Sequence, residues 1–268
     1  MLLREVGYAR PETVAQALEL LAADDGARAL AGGQTIVNVM KARAASPDAL
    51  IDLNGLDELK GIELAPDGTL SIGAMSTYSE IVASAEARAR PILGEVCAQI
   101  ADVQVRNRGT IGGNLCSNDP TNHLPPLMVA LGARMTIAGR DGEREVSAND
   151  FFLGVYLTAV GPGELLTKVT LPAGKADGFA SVTLGVDGTC ICSAAASLNG
   201  EVRVALGCVD AVPVDLRPAS SDAQAVRDAV RAAGIDAPSD VHASSAYRAH
   251  LAEVLAVRAV AQAQEAGA

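Results

Sequence analysis

Residues 27–43 read ARALAGGQTIVNVMKAR. Ala27 to Ala31 has the look of a short strand, Gly32-Gly33 breaks it, and Ile36, Val39 and Met40 then recur at helical spacing. A glycine pair at a strand-to-helix junction lets the backbone take positive φ and approach a ligand closely. Amides exposed there, and at the helix start that follows, make an anion nest. Thr35 is placed to cap the helix or to bond a phosphate, and Lys41 and Arg43 follow one to two turns on. Taken alone, the stretch reads first as a plain strand-to-helix turn with a solvated basic face.

The device recurs at residues 110–126, TIGGNLCSNDPTNHLPP, where Gly112-Gly113 suggests a second nest. Thr110, Asn114, Ser117, Asn118 and Asp119 gather hydroxyls, amides and one carboxylate within ten residues. A ribityl chain and a pyrophosphate need such mixed donors and acceptors. Two nests in one chain can grip a long bisphosphate ligand at two points, which points to a dinucleotide. There is no G-x-G-x-x-G and no Gly-Lys-Ser/Thr, so Rossmann and P-loop readings are disfavoured.

AGGQTIVNVMKAR (31–43) and TIGGNLCSNDPTNHLPP (110–126) resemble the two flavin motifs of one family, the FAD-binding medium subunits of molybdenum hydroxylases. Carbon monoxide dehydrogenase and xanthine dehydrogenase contain such subunits. The likeness runs from Tyr8-Ala9-Arg10-Pro11 to Tyr247-Arg248. It implies an α+β fold: two α/β lobes of the vanillyl-alcohol-oxidase (PCMH-like) flavin type, then a three-stranded antiparallel sheet with helices. It implies FAD in this chain, [2Fe–2S] clusters in a small partner, a molybdopterin cofactor in a large partner, and a dimer of heterotrimers.

The candidate cofactor-binding residues are Ala31, Gly32, Gly33, Gln34, Thr35 and Ile36 from the first motif, and Thr110, Gly113, Asn114 and Asp119 from the second. His123 joins them by its place in the motif, and Leu165 and Leu166 match the family's apolar contact to the flavin ring. Three positions depart from the family. His123 stands where an acid is common. Val182, Thr183 and Leu184 stand where a basic residue often faces the flavin, and Cys190 where an aromatic often covers it. These changes bear on flavin potential and acceptor choice. Tyr78 and Tyr156 could stack on the ring, although both also read as core residues.

Composition sets the outer bounds. The chain has 268 residues, 49% of them apolar, and a net charge of −11, which argues against nucleic acid or anionic membrane as a partner. No apolar run reaches the roughly 18 residues of a membrane span, and Arg4 and Glu5 stand where the apolar core of a signal peptide would begin. The expectation is a soluble, cytoplasmic protein. Five cysteines without C-x-x-C and three histidines without H-x-x-x-H suggest no disulfide framework and no metal held by this chain.

Three lobes are expected: 1–58, 59–175 and 176–268. In the first, Pro11 opens a helix carrying Val14, Ala17, Leu18 and Leu21, and strands at 27–31 and 50–53 flank the first glycine motif. In the second, strands at 62–64 and 69–72 precede helical runs at 76–86 and 91–102. The loop with the second glycine pair comes next, then a helix at 127–131 and strands at 134–138 and 165–171. In the third, strands at 179–186, 189–198 and 201–210 are joined by Asp187-Gly188 and Asn199-Gly200. Helices follow near 222–233 and 244–264. The second presents Tyr247, Leu251, Val254 and Leu255 on one face and is expected to fray after Ala259.

No constellation of general base and nucleophile is evident, so the first functional reading is a flavin electron-transfer subunit that does not touch the organic substrate. A stand-alone FAD oxidoreductase of the same fold, and a non-enzymatic nucleotide-binding module, are the alternatives.

Overall fold

The computed structural model describes residues 3–185 and 188–268. The first motif sits in a small parallel sheet built from β1 (Gly7–Ala9), β2 (Ala27–Leu30) and β3 (Ala49–Asp52), in the order β1-β3-β2. Helix α1 (Val14–Ala23) buries Ala17, Leu18 and Leu21 in a core shared with Ala27 and Ile51. It begins later than expected. Thr13 Oγ1 accepts from Gln16 N at 3.1 Å and caps the helix, so Pro11 precedes the cap instead of opening the first turn. Helix α2 (Ile36–Lys41) follows the glycine pair.

The middle of the chain builds a five-stranded antiparallel sheet from β4 (Ile62–Leu64), β5 (Leu70–Gly73), β6 (Arg134–Gly139), β7 (Gly142–Ser147) and β10 (Leu165–Leu171), in the order β4-β5-β10-β6-β7. A separate two-stranded hairpin joins β8 (Phe152–Gly154) to β9 (Leu157–Thr158). Helices α3 (Tyr78–Ala83), α4 (Pro91–Gln99), α5 (Val103–Arg106), α6 (Ile111–Ser117), α7 (Leu124–Leu131) and α8 (Ala148–Phe151) complete this part. Thr77 and Glu80 form a capping box on α3. All eight residues of α7 are buried, as its unbroken apolar sequence requires. The second glycine pair, expected in a loop, lies in the first turn of α6.

The C-terminal sheet has four strands, not three: β11 (Asp177–Leu184), β12 (Thr189–Ser197), β13 (Arg203–Gly207) and β14 (Val214–Leu216), all antiparallel in chain order. Pro213 and Pro218 bracket β14 and hide it from a sequence reading, because proline argues against a paired strand. Leu184 pairs with Thr189 across the first connection, whose Asp187 lies outside the described residues. Helices α9 (Ala223–Ala232) and α10 (Ser245–Gly267) cover the sheet.

Helix α10 does not stop at Ala259. Ala259 and Ala263 are completely buried. A Cβ on Gly178 would fall 2.0 Å from the Ala259 carbonyl oxygen, so the alanine-rich end packs directly on β11 where that strand has no side chain. The buried stripe is Arg248, Leu251, Ala252, Leu255 and Ala256. Tyr247, expected on the same face, is 47% exposed.

One buried ion pair ties this sheet to the middle of the chain. Arg90 Nε and Nη2 donate to Asp177 Oδ2 and Oδ1 at 2.8 and 2.9 Å, and both side chains are 1% exposed. Arg90 also donates to the Pro172 carbonyl, and Asn199 Nδ2 supports Asp177 Oδ1 at 2.8 Å. Among the described residues no helix is long and apolar enough to cross a membrane.

Candidate functional site

Strand β2 delivers Ala31, Gly32 and Gly33 to the start of α2. Gly33 takes a φ of 74°, the left-handed conformation that favours glycine. Gly32 does not, and its reason is space: a Cβ there would lie 2.0 Å from the Arg108 carbonyl oxygen and 3.0 Å from Gly109 Cα. The first motif therefore touches the segment leading into the second through bare backbone.

The hydrogen bonding of this turn is one-sided. Every carbonyl from Ala31 to Thr35 is used. Asn54 Nδ2 donates to Ala31 O at 3.0 Å, Gln34 Nε2 to Gly32 O at 3.1 Å and Val37 N to Gly33 O at 3.2 Å. Asn38 Nδ2 donates to Gln34 O at 2.8 Å and Val39 N to Thr35 O at 3.0 Å. Among the described residues, the amides of Gly32, Gly33, Gln34, Thr35 and Ile36 have no acceptor. Thr35 stands at the cap of α2 without bonding its amides. Five successive donors thus await an anion at a helix start.

The second motif is built the opposite way. Ile111 N donates to Ser76 O at 3.0 Å, Gly112 N to Ala74 O at 2.8 Å and Asn114 N to Thr110 O at 3.1 Å. Thr110 caps its own helix, with Oγ1 accepting from Gly113 N at 3.0 Å. Neither Gly112 nor Gly113 has positive φ. The expected second nest is therefore a tightly packed helix start. A Cβ on Gly112 would meet Ala74 at 2.7 Å; one on Gly113 would meet Thr110 Oγ1 at 3.0 Å and Ala31 Cβ at 3.5 Å. Glycine is needed there for close approach, not for an unusual dihedral. Beside these glycines Asn114 is 8% exposed, and its Oδ1 lacks a partner. A buried, unpaired amide oxygen is costly, and a ligand donor would relieve it.

The remaining candidates spread outward. Asp119 accepts from Thr121 N and Oγ1 at 2.9 and 2.7 Å, and from Tyr156 Oη at 3.0 Å. Tyr156 is 62% exposed at a φ of 56°, so it is no core residue. Tyr78 is buried, and burial raises its phenol pKa. His123 is buried with its ring 5.4 Å from that of Phe179, and burial lowers its pKa, which keeps it neutral. The position where the resemblance leads one to expect an acid thus holds an uncharged ring packed toward the C-terminal sheet. Leu165 and Leu166 are buried in two different cores. Thr183 is exposed. Cys190 is buried beside Cys208, and the interaction of the two thiols holds the Cys190 pKa down and raises that of Cys208, whose Sγ donates to the Pro120 carbonyl at 3.0 Å.

Two residues near the first nest escaped the sequence reading. Asn54 follows β3, and its amide reaches Ala31 O. Arg108 Nη2, two residues before the second motif, donates to Asn54 Oδ1 at 3.4 Å. The signal was present as Asp52-Leu53-Asn54-Gly55 at a strand end, but only the tertiary fold brings it beside the glycines.

Residues 4–174 match the FAD binding domain in molybdopterin dehydrogenase, well over half the chain. The chain belongs to this family. It is 35% identical to the carbon monoxide dehydrogenase medium chain of Afipia carboxidovorans, with 96% of each chain covered. It is 28% identical to the xanthine dehydrogenase FAD-binding subunit of Escherichia coli O157:H7, covering 96% of this chain and 95% of that one. It superposes on a solved chain of reconstituted CO dehydrogenase from Oligotropha carboxidovorans with a TM-score of 0.92 and 33% identity, over 99% of this chain and all of that one. The family, the α+β flavin fold and the FAD cofactor expected from the motifs are thereby shown, and the chain is a flavoprotein oxidoreductase subunit.

The residues fit that cofactor. The free amide row from Gly32 to Ile36 suits a pyrophosphate, and the unpaired Asn114 Oδ1 suits a hydroxyl or ring N–H donor. The backbone contact of Gly32 with Arg108 and Gly109 places these two groups on adjoining elements.

Proposed function

We propose that this chain binds one FAD non-covalently and is the electron-transfer subunit of a molybdenum-containing hydroxylase. The observation that carries the binding site is the row of five unpaired amides, Gly32 to Ile36, with all the carbonyls of the same turn turned inward and bonded. Ala31 to Ile36 hold the phosphates. Thr110, Gly113, Asn114, Asp119, His123 and Leu166 are the remaining cofactor contacts we assign. Bound FAD supplies the ability to exchange single electrons with a cluster and pairs with an acceptor.

The chain's own part is to bind, orient and exclude water. Among the described residues none near the nest forms a base–nucleophile pair, and we assign the organic substrate to a partner. We assign that partner as a large molybdopterin subunit, reached through a small subunit with [2Fe–2S] clusters, the three forming a dimer of heterotrimers in the cytoplasm. The boundaries 1–58, 59–175 and 176–268 are our division of the chain into lobes.

A surface for the iron–sulfur partner is at hand. The β8–β9 hairpin exposes Leu153, Val155, Tyr156 and Leu157, each between 49% and 62%. It is tied to the second motif by Asn118 Nδ2, which donates to Gly154 O at 2.7 Å, and by the Tyr156–Asp119 bond. An apolar patch of this kind beside a cofactor site marks a protein interface.

The experiment is the visible spectrum of the purified chain before and after acid precipitation. We expect flavin absorbance near about 450 nm, released into the supernatant by acid. Flavin remaining in the pellet contradicts the non-covalent claim, and a chain that takes up no flavin contradicts the whole reading. Cys116, the thiol within the second motif, is no ready nucleophile, because burial pushes its pKa up to about 12.

A further inference from the structure

We infer that Asn54 is a positioning residue of the phosphate nest: it aims the Gly32 amide outward and couples the first glycine motif to the second. The inference rests on the FAD reading above. A trans peptide is planar, with its C=O and N–H pointing in opposite directions. Whatever fixes the Ala31 carbonyl therefore fixes the direction of the Gly32 N–H. Asn54 Nδ2 holds that carbonyl at 3.0 Å.

Asn54 is itself braced. Its backbone N and its Nδ2 both donate to Asp52 Oδ1, at 3.0 and 2.6 Å. Asp52 is 8% exposed and takes a bond from Tyr8 Oη at 2.5 Å on its other oxygen. Strand β3 carries Asp52 between β1 and β2, so the brace is anchored in the middle of the parallel sheet. On its open side, Asn54 Oδ1 accepts from Arg108 Nη2 at 3.4 Å. The backbone of Arg108 is the segment against which Gly32 is packed. One side-chain amide thus touches the first motif and the segment that leads into the second.

Gln34 extends the device by one peptide. Its Nε2 holds Gly32 O at 3.1 Å and so directs the Gly33 N–H. Two successive amides of the row are set by two side-chain amides, one from within the turn and one from the end of β3. Asn54 need not touch the ligand to govern how the row meets it.

The test is FAD and riboflavin binding to the flavin-stripped full chain, by flavin fluorescence, with apo-protein melting as the control. Asn54→Leu removes the donor to Ala31 and the acceptor for Arg108. Asn54→Ala removes the same groups with a smaller side chain and adds no charge beside Asp52 Oδ1. Each variant is expected to weaken FAD about tenfold, the scale of one lost hydrogen bond. Riboflavin, which lacks the phosphates, should change less than twofold, and apo melting should stay as in the wild type. Wild-type FAD affinity in either variant overturns the inference. So does an equal loss for riboflavin, or a lowered apo melting temperature, because either makes Asn54 a determinant of the fold only. A wild-type chain that binds no FAD instead overturns the flavin reading.

Discussion

The backbone of Gly32 is packed against Arg108 so closely that a Cβ on the glycine would fall 2.0 Å from the Arg108 carbonyl oxygen. The contact is backbone on backbone, and a rotamer change cannot relieve it. Gly32→Ala is therefore expected to push the two motifs apart, lowering stability by about 1–3 kcal/mol and reducing flavin content. Urea unfolding and absorbance near about 450 nm check both; a variant as stable and as fully loaded as wild type contradicts the account.

Gly33→Val and Gly113→Val are each expected to abolish flavin loading while the chain stays folded, for different reasons. At Gly33 the φ of 74° is a poor conformation for a β-branched residue. At Gly113 the backbone is ordinary, and the new side chain presses on Thr110 Oγ1, 3.0 Å from the Cβ position. Circular dichroism together with flavin content separates loss of binding from loss of fold. Full occupancy in either variant would show that glycine is merely part of a turn.

Arg90→Met is expected to cost about 3–5 kcal/mol, because it strands Asp177 without its charge partner in a 1% exposed site. The double variant Arg90→Met/Asp177→Leu should recover most of that loss. Thermal unfolding decides the matter. A double variant no better than the single one would mean that the pair holds the C-terminal sheet in place in a way apolar packing cannot replace.

Asp240 links stability to acid. Its carboxylate accepts from Ala243 N and His242 N and from Arg248 Nη2, and these bonds hold its pKa down to about 2. A lowered folded-state pKa adds stability above the unfolded value of about 4, and that stability is lost as pH falls toward 2. Arg248 is buried and also donates to the Ile191 and Cys208 carbonyls, so the bond anchors the start of α10. The wild-type melting temperature should fall more steeply between about pH 4 and 2 than that of Asp240→Asn. Parallel curves would remove Asp240 from the account.

Much of this was legible in the sequence. The strand–glycine–helix order of the first motif, the strand at β10 and the antiparallel β11–β12–β13 run follow from periodicity and turn residues. What was missed depends on tertiary contacts. The Gly112-Gly113 pair resembles a nest by composition, yet Ala74 and Ser76 supply acceptors from a distant segment and turn it into a packed helix start. The alanine-rich end of α10 looks weak alone and is buried because Gly178 lets it approach. Asn54 is an ordinary residue at a strand end until the fold sets it against Ala31. The flavin motifs announced the cofactor; the division of labour between them required the hydrogen bonds.

The exposed β8–β9 hairpin gives the assembly a test of its own. Val155→Glu places a charge in the centre of the Leu153–Leu157 patch, where Val155 is 49% exposed. Flavin content and melting temperature should stay within error of wild type, while co-purification with the iron–sulfur chain falls at least tenfold, about 1.4 kcal/mol in binding. Undiminished co-purification would move the interface elsewhere.

The central claim is that this subunit carries electrons and does not itself oxidise the organic substrate. The most direct measurement is anaerobic flavin absorbance near about 450 nm on adding the complex's own substrate, to the isolated FAD-loaded chain and to the chain within its complex. The account predicts bleaching in the complex and none in the isolated chain. Bleaching of the isolated chain by aldehyde, purine or N-heterocycle would contradict it and make the chain a stand-alone oxidoreductase.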